Sequence, residues 1–301
     1  MGSICSATCR STARLDGKTA VITGCNTGIG KECTKDFYIR GAKVIMACRS
    51  LDKASEAIDD IKVQCKDVPN LGSLQAVKLD LTSLKSVREC ADSLLKSEEK
   101  IDILLNNAGI MACPLYRTED GFEMQFGTNH LGHFLFTMLL MPKILASDYN
   151  PARIVNVSST AHTSGEMDFN DLNYNTKNYS AVGAYGQSKL ANILFTTELA
   201  RRLEAADIKN VHTYTLHPGV IHSDLGRHLS DSFNVFITVP FKLYAKVFAK
   251  SVVQGAQTSI HCCVAEEAAN ETAKYYKECA PARYSTNAGK PKMRNVCGRN
   301  P

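Results

Sequence analysis

Tyr185 and Lys189 stand four residues apart in the run Tyr-Gly-Gln-Ser-Lys. At helical spacing the two side chains share a face. A free phenol titrates near ~10, and a cation beside it favours the phenolate and lowers that value. A lysine one turn away therefore suits a tyrosine that gives and takes protons near neutral pH. Such pairs also occur as plain structure, so this one needs company. Ser158 and Ser159 close the apolar run Arg153–Val157, and one hydroxyl can bind a carbonyl oxygen beside Tyr185 or simply cap the loop that follows. Asn129 lies within a long apolar stretch. An amide is unfavourable inside a helix, and its structural explanation is a kink or a backbone hydrogen bond.

A second group suits a phosphate. Thr23-Gly24-Cys25-Asn26-Thr27-Gly28-Ile29-Gly30 follows one apolar run and opens an amphipathic one. Glycines spaced G-x-x-x-G-x-G allow a tight turn and close backbone approach to a pyrophosphate, and a helix N-terminus offers free N–H groups. Between a strand and a helix this pattern is a strong dinucleotide signal. The end of the next apolar run reports which nicotinamide dinucleotide fits, because an acidic residue there accepts from a ribose 2′-OH. Here the run ends Ala47-Cys48-Arg49-Ser50, without a carboxylate. Arg49 can pair with a 2′-phosphate in bidentate fashion, so NADP(H) is expected; the alternative is Arg49 as a solvated surface charge. Asp80, after the third run, can hydrogen-bond adenine or cap the helix that follows. Asn106-Asn107-Ala108-Gly109 closes the fourth run with a backbone tight enough to meet a cofactor.

The elements that must position these residues are legible from periodicity. Strands are expected at Thr19–Thr23, Lys43–Ala47, Gln75–Leu79, Ile101–Leu105, Arg153–Val157, His212–Leu216 and Lys274–Tyr276. Between them the spacing predicts helices to about Arg40 and over Asp52–Cys65, Leu84–Lys96, Gly121–Leu145, Tyr185–Leu203 and Val252–Cys263. Strands this apolar are buried on both faces, and regular alternation with helices implies a doubly wound parallel α/β sheet in a single domain. Residues 16–301 form that domain, after a tail of residues 1–15. Two excursions, Thr163–Ala184 and about 219–251, leave carboxyl ends of strands, where ligands bind. The second is a helical substrate lid in prospect, with Phe233, Phe236, Phe241 and Phe248 on an apolar face and Lys242, Lys246 and Lys250 along its flank. Such a face can lie on a membrane and admit a lipophilic substrate, or pack on the protein's own core.

Composition narrows the class. The chain has 301 residues, 44% hydrophobic and 22% charged, with a formal charge of +5. That balance excludes a disordered or fibrous chain, and the excess is too small and scattered for nucleic-acid binding. Twelve cysteines occur without a CxxC pair, so neither a zinc site nor any other metal site is expected. They read as buried, reduced thiols in a reducing, intracellular compartment, either the cytoplasm or the cytosolic face of a membrane. No apolar run spans a bilayer. The start, Met-Gly-Ser-Ile-Cys-Ser, fits the myristoylation pattern at Gly2, with Cys5 and Cys9 beside it for palmitate. Two acyl chains would anchor the chain peripherally, whereas the plain reading is an unmodified tail.

Taken together, the runs TGCNTGIG, NNAG, VNVSS, YGQSK and HPG resemble the short-chain dehydrogenase/reductase family from about Asp16 to Arg283. GCNTGIGK, TNHLGHF, SKLANILFT and CAPAR are similar to its retinol dehydrogenase subgroup, which prefers NADP(H). The resemblance implies a Rossmann-type fold and a role for each matching position. Tyr185 would be the general acid/base. Lys189 would hold the nicotinamide ribose and lower the tyrosine pKa. Ser159, rather than Ser158, would position the substrate oxygen, and Asn129 would hold a relay water. Gly24, Asn26, Thr27, Gly28, Ile29 and Gly30 would line the pyrophosphate, with Arg49 and Asp80 at the adenosine end. Asn107, Ala108 and Gly109 would line the crevice, and Pro218, Gly219 and Val220 would meet the carboxamide. It implies hydride transfer between NADP(H) and a lipophilic carbonyl/alcohol pair, retinal/retinol first, with farnesal, steroids and fatty aldehydes as alternatives. A non-catalytic NADP(H)-binding protein on a membrane is the distant rival. The spacing of Ser159 and Tyr185, 26 residues, is long for the family at large and familiar in this subgroup. Oligomeric state is not legible.

Overall fold

A computed structural model describes residues 6–221 and 249–284. Gly2, Cys5 and most of the expected lid, including Phe233 to Phe248, lie outside the described residues.

Eight strands form one sheet in the order β3-β2-β1-β4-β5-β6-β7-β8. They are β1 Thr19–Thr23, β2 Lys43–Cys48, β3 Ser73–Lys78, β4 Ile103–Asn106, β5 Ala152–Val157, β6 Val211–His217, β7 Lys274–Lys277 and β8 Ala280–Ala282. All neighbours are parallel except β7 and β8. The helices are α1 Gly28–Ile39, α2 Leu51–Gln64, α3 Leu84–Ser97, α4 Gly132–Leu145, α5 Ala181–Ala205 and α6 Val252–Val264.

The sheet separates two cores because strand side chains alternate between its faces. Ala20, Ile22, Val44, Met46, Ile103 and Leu105 point toward α1 and α6, where Phe37 and Ile260 complete one core. Val21, Ile45 and Leu104 point the other way, onto Leu94 of α3, Phe136 and Leu140 of α4 and Phe195 of α5. Every residue of β1, β4 and β5 is buried. This two-sided burial is why the central strands carry unbroken apolar runs.

Strand order reverses between β1 and β4: β2 and β3 lie to one side, the later strands to the other. The loops after β1 and β4 therefore diverge and leave a crevice at their carboxyl ends, the usual ligand position in an open sheet.

Three departures from the sequence reading matter. Strand β3 is the edge strand and is half exposed, not buried on both faces. The helix expected over Gly121–Leu145 begins at Met124 and runs without a break to Leu145, but it carries a π turn at Gly127–Leu131 ahead of α4. Helix α5 starts at Ala181, with the Ser180 hydroxyl accepting from the Gly183 amide, so Tyr185 sits beyond the first turn rather than at its start. The antiparallel β8 was not legible. Residues 6–15 run along α6: the Cys9 amide donates to Gln257, and Leu15 is fully buried. Cys25, Cys33, Cys48, Cys65, Cys90, Cys113, Cys262 and Cys263 are buried.

Candidate active site

The Gly-rich turn closes β1. Gly24 has φ +62, a left-handed conformation that favours glycine. A Cβ there would stand 2.7 Å from the Ala108 Cβ, so the turn is pressed against the end of β4. Asn107 holds the two together, donating from Nδ2 to the carbonyls of Thr23 at 2.9 Å and Gly24 at 3.1 Å. Thr23 answers with its hydroxyl oxygen, which accepts the amides of Asn107 and Ala108, each at 3.0 Å. Asn26 and Thr27 then lead into α1, which begins at Gly28 and includes Ile29 and Gly30. Its first turn contains no acidic residue, so the positive end of the helix is open to an anion.

The adenosine end is set by β2 and β3. Arg49 follows β2 directly, is exposed and makes no ion pair among the described residues. A groove beside the Gly-rich turn is lined by Asn26, Thr27, Lys31, Lys53, Glu56 and Ala57. Asp80 is occupied locally: its Oδ1 accepts both the amide and the hydroxyl of Thr82, at 2.9 and 2.8 Å. The cap of α3 is Ser83, not Asp80.

Beyond β5 the two serines separate. Ser158 is buried and donates to the Lys189 carbonyl at 2.8 Å. Ser159 caps the 3-10 turn Thr160–Ser164, and its hydroxyl lies on the Tyr185 side, where it pulls the phenol pKa down. That turn packs tightly on α5, since a Cβ on Gly186 would come within 2.8 Å of the Ala161 carbonyl oxygen. Tyr185 is held in this contact. The Lys189 ammonium lies 5.6 Å from the Tyr185 ring centre and donates to the Val157 carbonyl at 3.0 Å.

Electrostatics differ from the sequence expectation. Burial pushes the Tyr185 hydroxyl up to about 12, against a downward pull from the Ser159 hydroxyl. Burial pushes Lys189 down to about 8. Desolvation is therefore the larger influence on both groups.

Asn129 sits on the π turn, an insertion frequent at functional sites. Its side chain is engaged at both ends: Oδ1 accepts the Ile110 amide at 2.9 Å, and Nδ2 donates to the Ile110 carbonyl at 2.9 Å and to Ser188 Oγ at 3.0 Å. Both amide hydrogens are spent, so a relay water would be held at an oxygen of Asn129 rather than at its nitrogen. The backbone carbonyl is met by His133 Nδ1 at 3.0 Å. Thr23, His133 and Ser188 were not singled out from sequence. The available signals were a threonine ending β1 and a histidine four residues beyond Asn129.

At the far side, β6 ends at His217, followed by Pro218, Gly219 and Val220. Gly219 has φ +101, and Val220 accepts the Lys250 amide at 2.8 Å. Among the described residues no group of three or more His, Cys, Asp or Glu could hold a metal ion, and no helix is long and apolar enough to cross a membrane.

Comparison with known proteins follows this geometry. Residues 18–233 match the short chain dehydrogenase family. The chain is 46% identical over 277 residues to retinol dehydrogenase 13 of Homo sapiens, covering 91% of this chain and 81% of the relative. It is 45% identical to retinol dehydrogenase 12 of Homo sapiens, covering 90% and 81%. A crystal structure of an uncharacterized protein from Mycobacterium Paratuberculosis superposes with TM-score 0.75 at 33% identity, covering 97% and 94%. The Pseudomonas aeruginosa RhlG/NADP active-site complex shares the fold, with TM-score 0.65 at 24% identity, covering 87% and 94%.

Proposed function

Because the chain belongs to the short-chain dehydrogenase family, is retinol dehydrogenase-like and is an NAD(P)-dependent oxidoreductase, we propose that it uses NADP(H) to interconvert a lipophilic aldehyde or ketone with its alcohol, retinal and retinol foremost. The observation that carries the reading is the convergence of Tyr185, Lys189 and Ser159: the Lys189 ammonium lies 5.6 Å from the Tyr185 ring centre, and the Ser159 hydroxyl acts on the phenol from the end of β5.

The residues fit the cofactor chemically. Gly24, Gly28 and Gly30 with the first turn of α1 would take the pyrophosphate. Arg49, with Lys31 and Lys53 in the neighbouring groove, supplies positive charge for a 2′-phosphate. Lys189 would hold the nicotinamide ribose, Asn107, Ala108 and Gly109 would line the crevice, and Pro218 to Val220 would meet the carboxamide. When bound, the dihydronicotinamide supplies a hydride.

The chain's own part is proton delivery. In reduction Ser159 donates to the substrate carbonyl oxygen and fixes its position. The Tyr185 hydroxyl gives its proton to that oxygen as the carbonyl carbon gains the hydride. The alcohol leaves, and Tyr185 recovers its proton from solvent through Lys189 and its surroundings. A phenol near 12 is protonated at neutral pH, so the resting site is set for reduction. The oxidative direction needs the phenolate and gains with rising pH.

Retinal is favoured by the two retinol dehydrogenase relatives. Farnesal, fatty aldehydes and steroid ketones share its apolar character. The test is cofactor oxidation by the purified chain with retinal, farnesal, a fatty aldehyde and a steroid ketone, with NADPH and with NADH. Turnover of retinal with NADPH well above NADH supports the proposal. Turnover confined to polar carbonyls, or to NADH, overturns it.

A further inference from the structure

We infer that His133 is a positioning residue for the proposed reaction, a strut joining the cofactor turn to the catalytic helix. The inference rests on the reading above. It starts from Thr23, whose hydroxyl oxygen already accepts two backbone amides, Asn107 and Ala108, each at 3.0 Å. A hydroxyl has two lone pairs and one hydrogen. With both lone pairs engaged, the hydrogen is what remains for His133 Nε2, 2.8 Å away. Nε2 is therefore the acceptor, and the ring proton sits on Nδ1. Nδ1–H then donates to the Asn129 carbonyl at 3.0 Å.

A doubly protonated ring would drive a second hydrogen at a hydroxyl with no free lone pair. Burial, helped by the nearby Lys189 charge, outweighs the upward pull of the Asn129 carbonyl and holds His133 down to about 3. The ring thus keeps one tautomer throughout the working pH range. It carries no proton during turnover; it fixes distances.

Those distances belong to both halves of the site. On one side Thr23 pins Asn107 and Ala108 against Gly24, the turn that would take the pyrophosphate. On the other, Asn129 donates to Ser188 Oγ at 3.0 Å, and Ser188 donates to the Tyr185 carbonyl at 2.8 Å. Thr23, Asn129 and Ser188 are essentially fully buried and His133 nearly so, so a lost bond is not replaced by solvent. Among the described residues, His133 is the one side chain bonded to both Thr23 and Asn129.

The two ring nitrogens can be removed separately. In His133→Asn the amide nitrogen takes the place of Nδ1 and can still donate to Asn129. In His133→Gln the longer side chain reaches Thr23, as Nε2 does. His133→Leu keeps volume and neither bond. We expect NADPH affinity to fall about five- to tenfold in the Leu and Asn variants, one buried hydrogen bond's worth, and to stay near wild type in Gln. We expect kcat with a lipophilic aldehyde to fall by about the same factor in Leu and Gln and to recover in Asn. Equal losses of affinity and of kcat in all three folded variants would reduce His133 to packing and overturn the inference. If the Leu variant does not fold, the Asn and Gln pair carry the test. Thr23→Val combined with His133→Gln adds a cycle: the double variant should bind NADPH about as poorly as Thr23→Val alone, and a Gln variant that already binds as poorly as Leu contradicts the assignment. Wild-type protein that binds NADPH but reduces no aldehyde would sink the proposed reaction, while the affinity split would still judge His133.

Discussion

The Lys189 ammonium donates to the carbonyl of Val157 at 3.0 Å, while the Ser158 hydroxyl donates to the carbonyl of Lys189 at 2.8 Å. The end of β5 and the third turn of α5 are thus clipped in both directions. Asn192 adds a third bond to the Val157 carbonyl at 3.2 Å. The lysine is fully enclosed, and the strand end rather than a carboxylate holds its charge in place.

That enclosure has a pH signature. Burial holds Lys189 at about 8, so its ammonium is present below that value and lost as pH rises through it. The kcat/KM for NADPH, which reports the free protein, should be flat below about pH 8 and decline above it. Lys189→Arg, which stays charged, should remove that break even if overall activity drops. A flat wild-type profile to pH 10 would contradict the role given to Lys189.

Tyr185→Phe removes the hydroxyl and keeps the ring. Aldehyde reduction should fall by roughly 100- to 10,000-fold, the range for losing general acid catalysis. NADPH affinity, followed by nucleotide fluorescence, should change by less than about threefold, since no more than one hydrogen bond is lost. Near wild-type turnover would exclude Tyr185 as the proton donor.

The two adjacent serines should fail differently. Ser159→Ala should lower kcat by about tenfold or more, because its hydroxyl faces Tyr185, and should also cost about 1 kcal/mol through the lost cap on Thr160–Ser164. Ser158→Ala removes a buried hydrogen bond to a carbonyl that α5 itself still pairs, and should cost about 1 kcal/mol of stability with kcat little changed. Thermal unfolding and steady-state rates on both variants check the contrast. A reversed pattern would mean that the wrong hydroxyl has been given to the substrate.

Arg49 is exposed, directly follows β2, and has no partner to neutralise it among the described residues. Arg49→Asp should weaken NADPH about tenfold or more by replacing attraction with repulsion, and should raise the relative use of NADH. Titration of each nucleotide measures the shift. Unchanged NADPH affinity would return Arg49 to a solvated charge.

Much of this was legible before any coordinates. The alternating apolar runs fixed a parallel sheet, because only strands covered on both faces can be so uniformly apolar. The Gly-rich turn and the Tyr185–Lys189 spacing are local patterns whose geometry follows from one turn of chain. Other features depend on neighbours distant in sequence. β3 is half exposed because nothing pairs with its outer side. Asn129 clasps Ile110, 19 residues earlier, and Ser188, 59 residues later, so its amide nitrogen is spent in a way its own surroundings do not announce. Whether the phenol or the lysine is favoured in charged form is likewise a matter of burial, which depends on every element packed around them.

By itself, then, the sequence determined the fold class, the cofactor turn and the types of group available for proton transfer, since these follow from periodicity and near-neighbour spacing. Only the tertiary structure decided which serine meets Tyr185, and that His133 stands between Thr23 and Asn129. A side chain's partner is set by which strands and helices pack together, and packing joins residues that the chain keeps far apart.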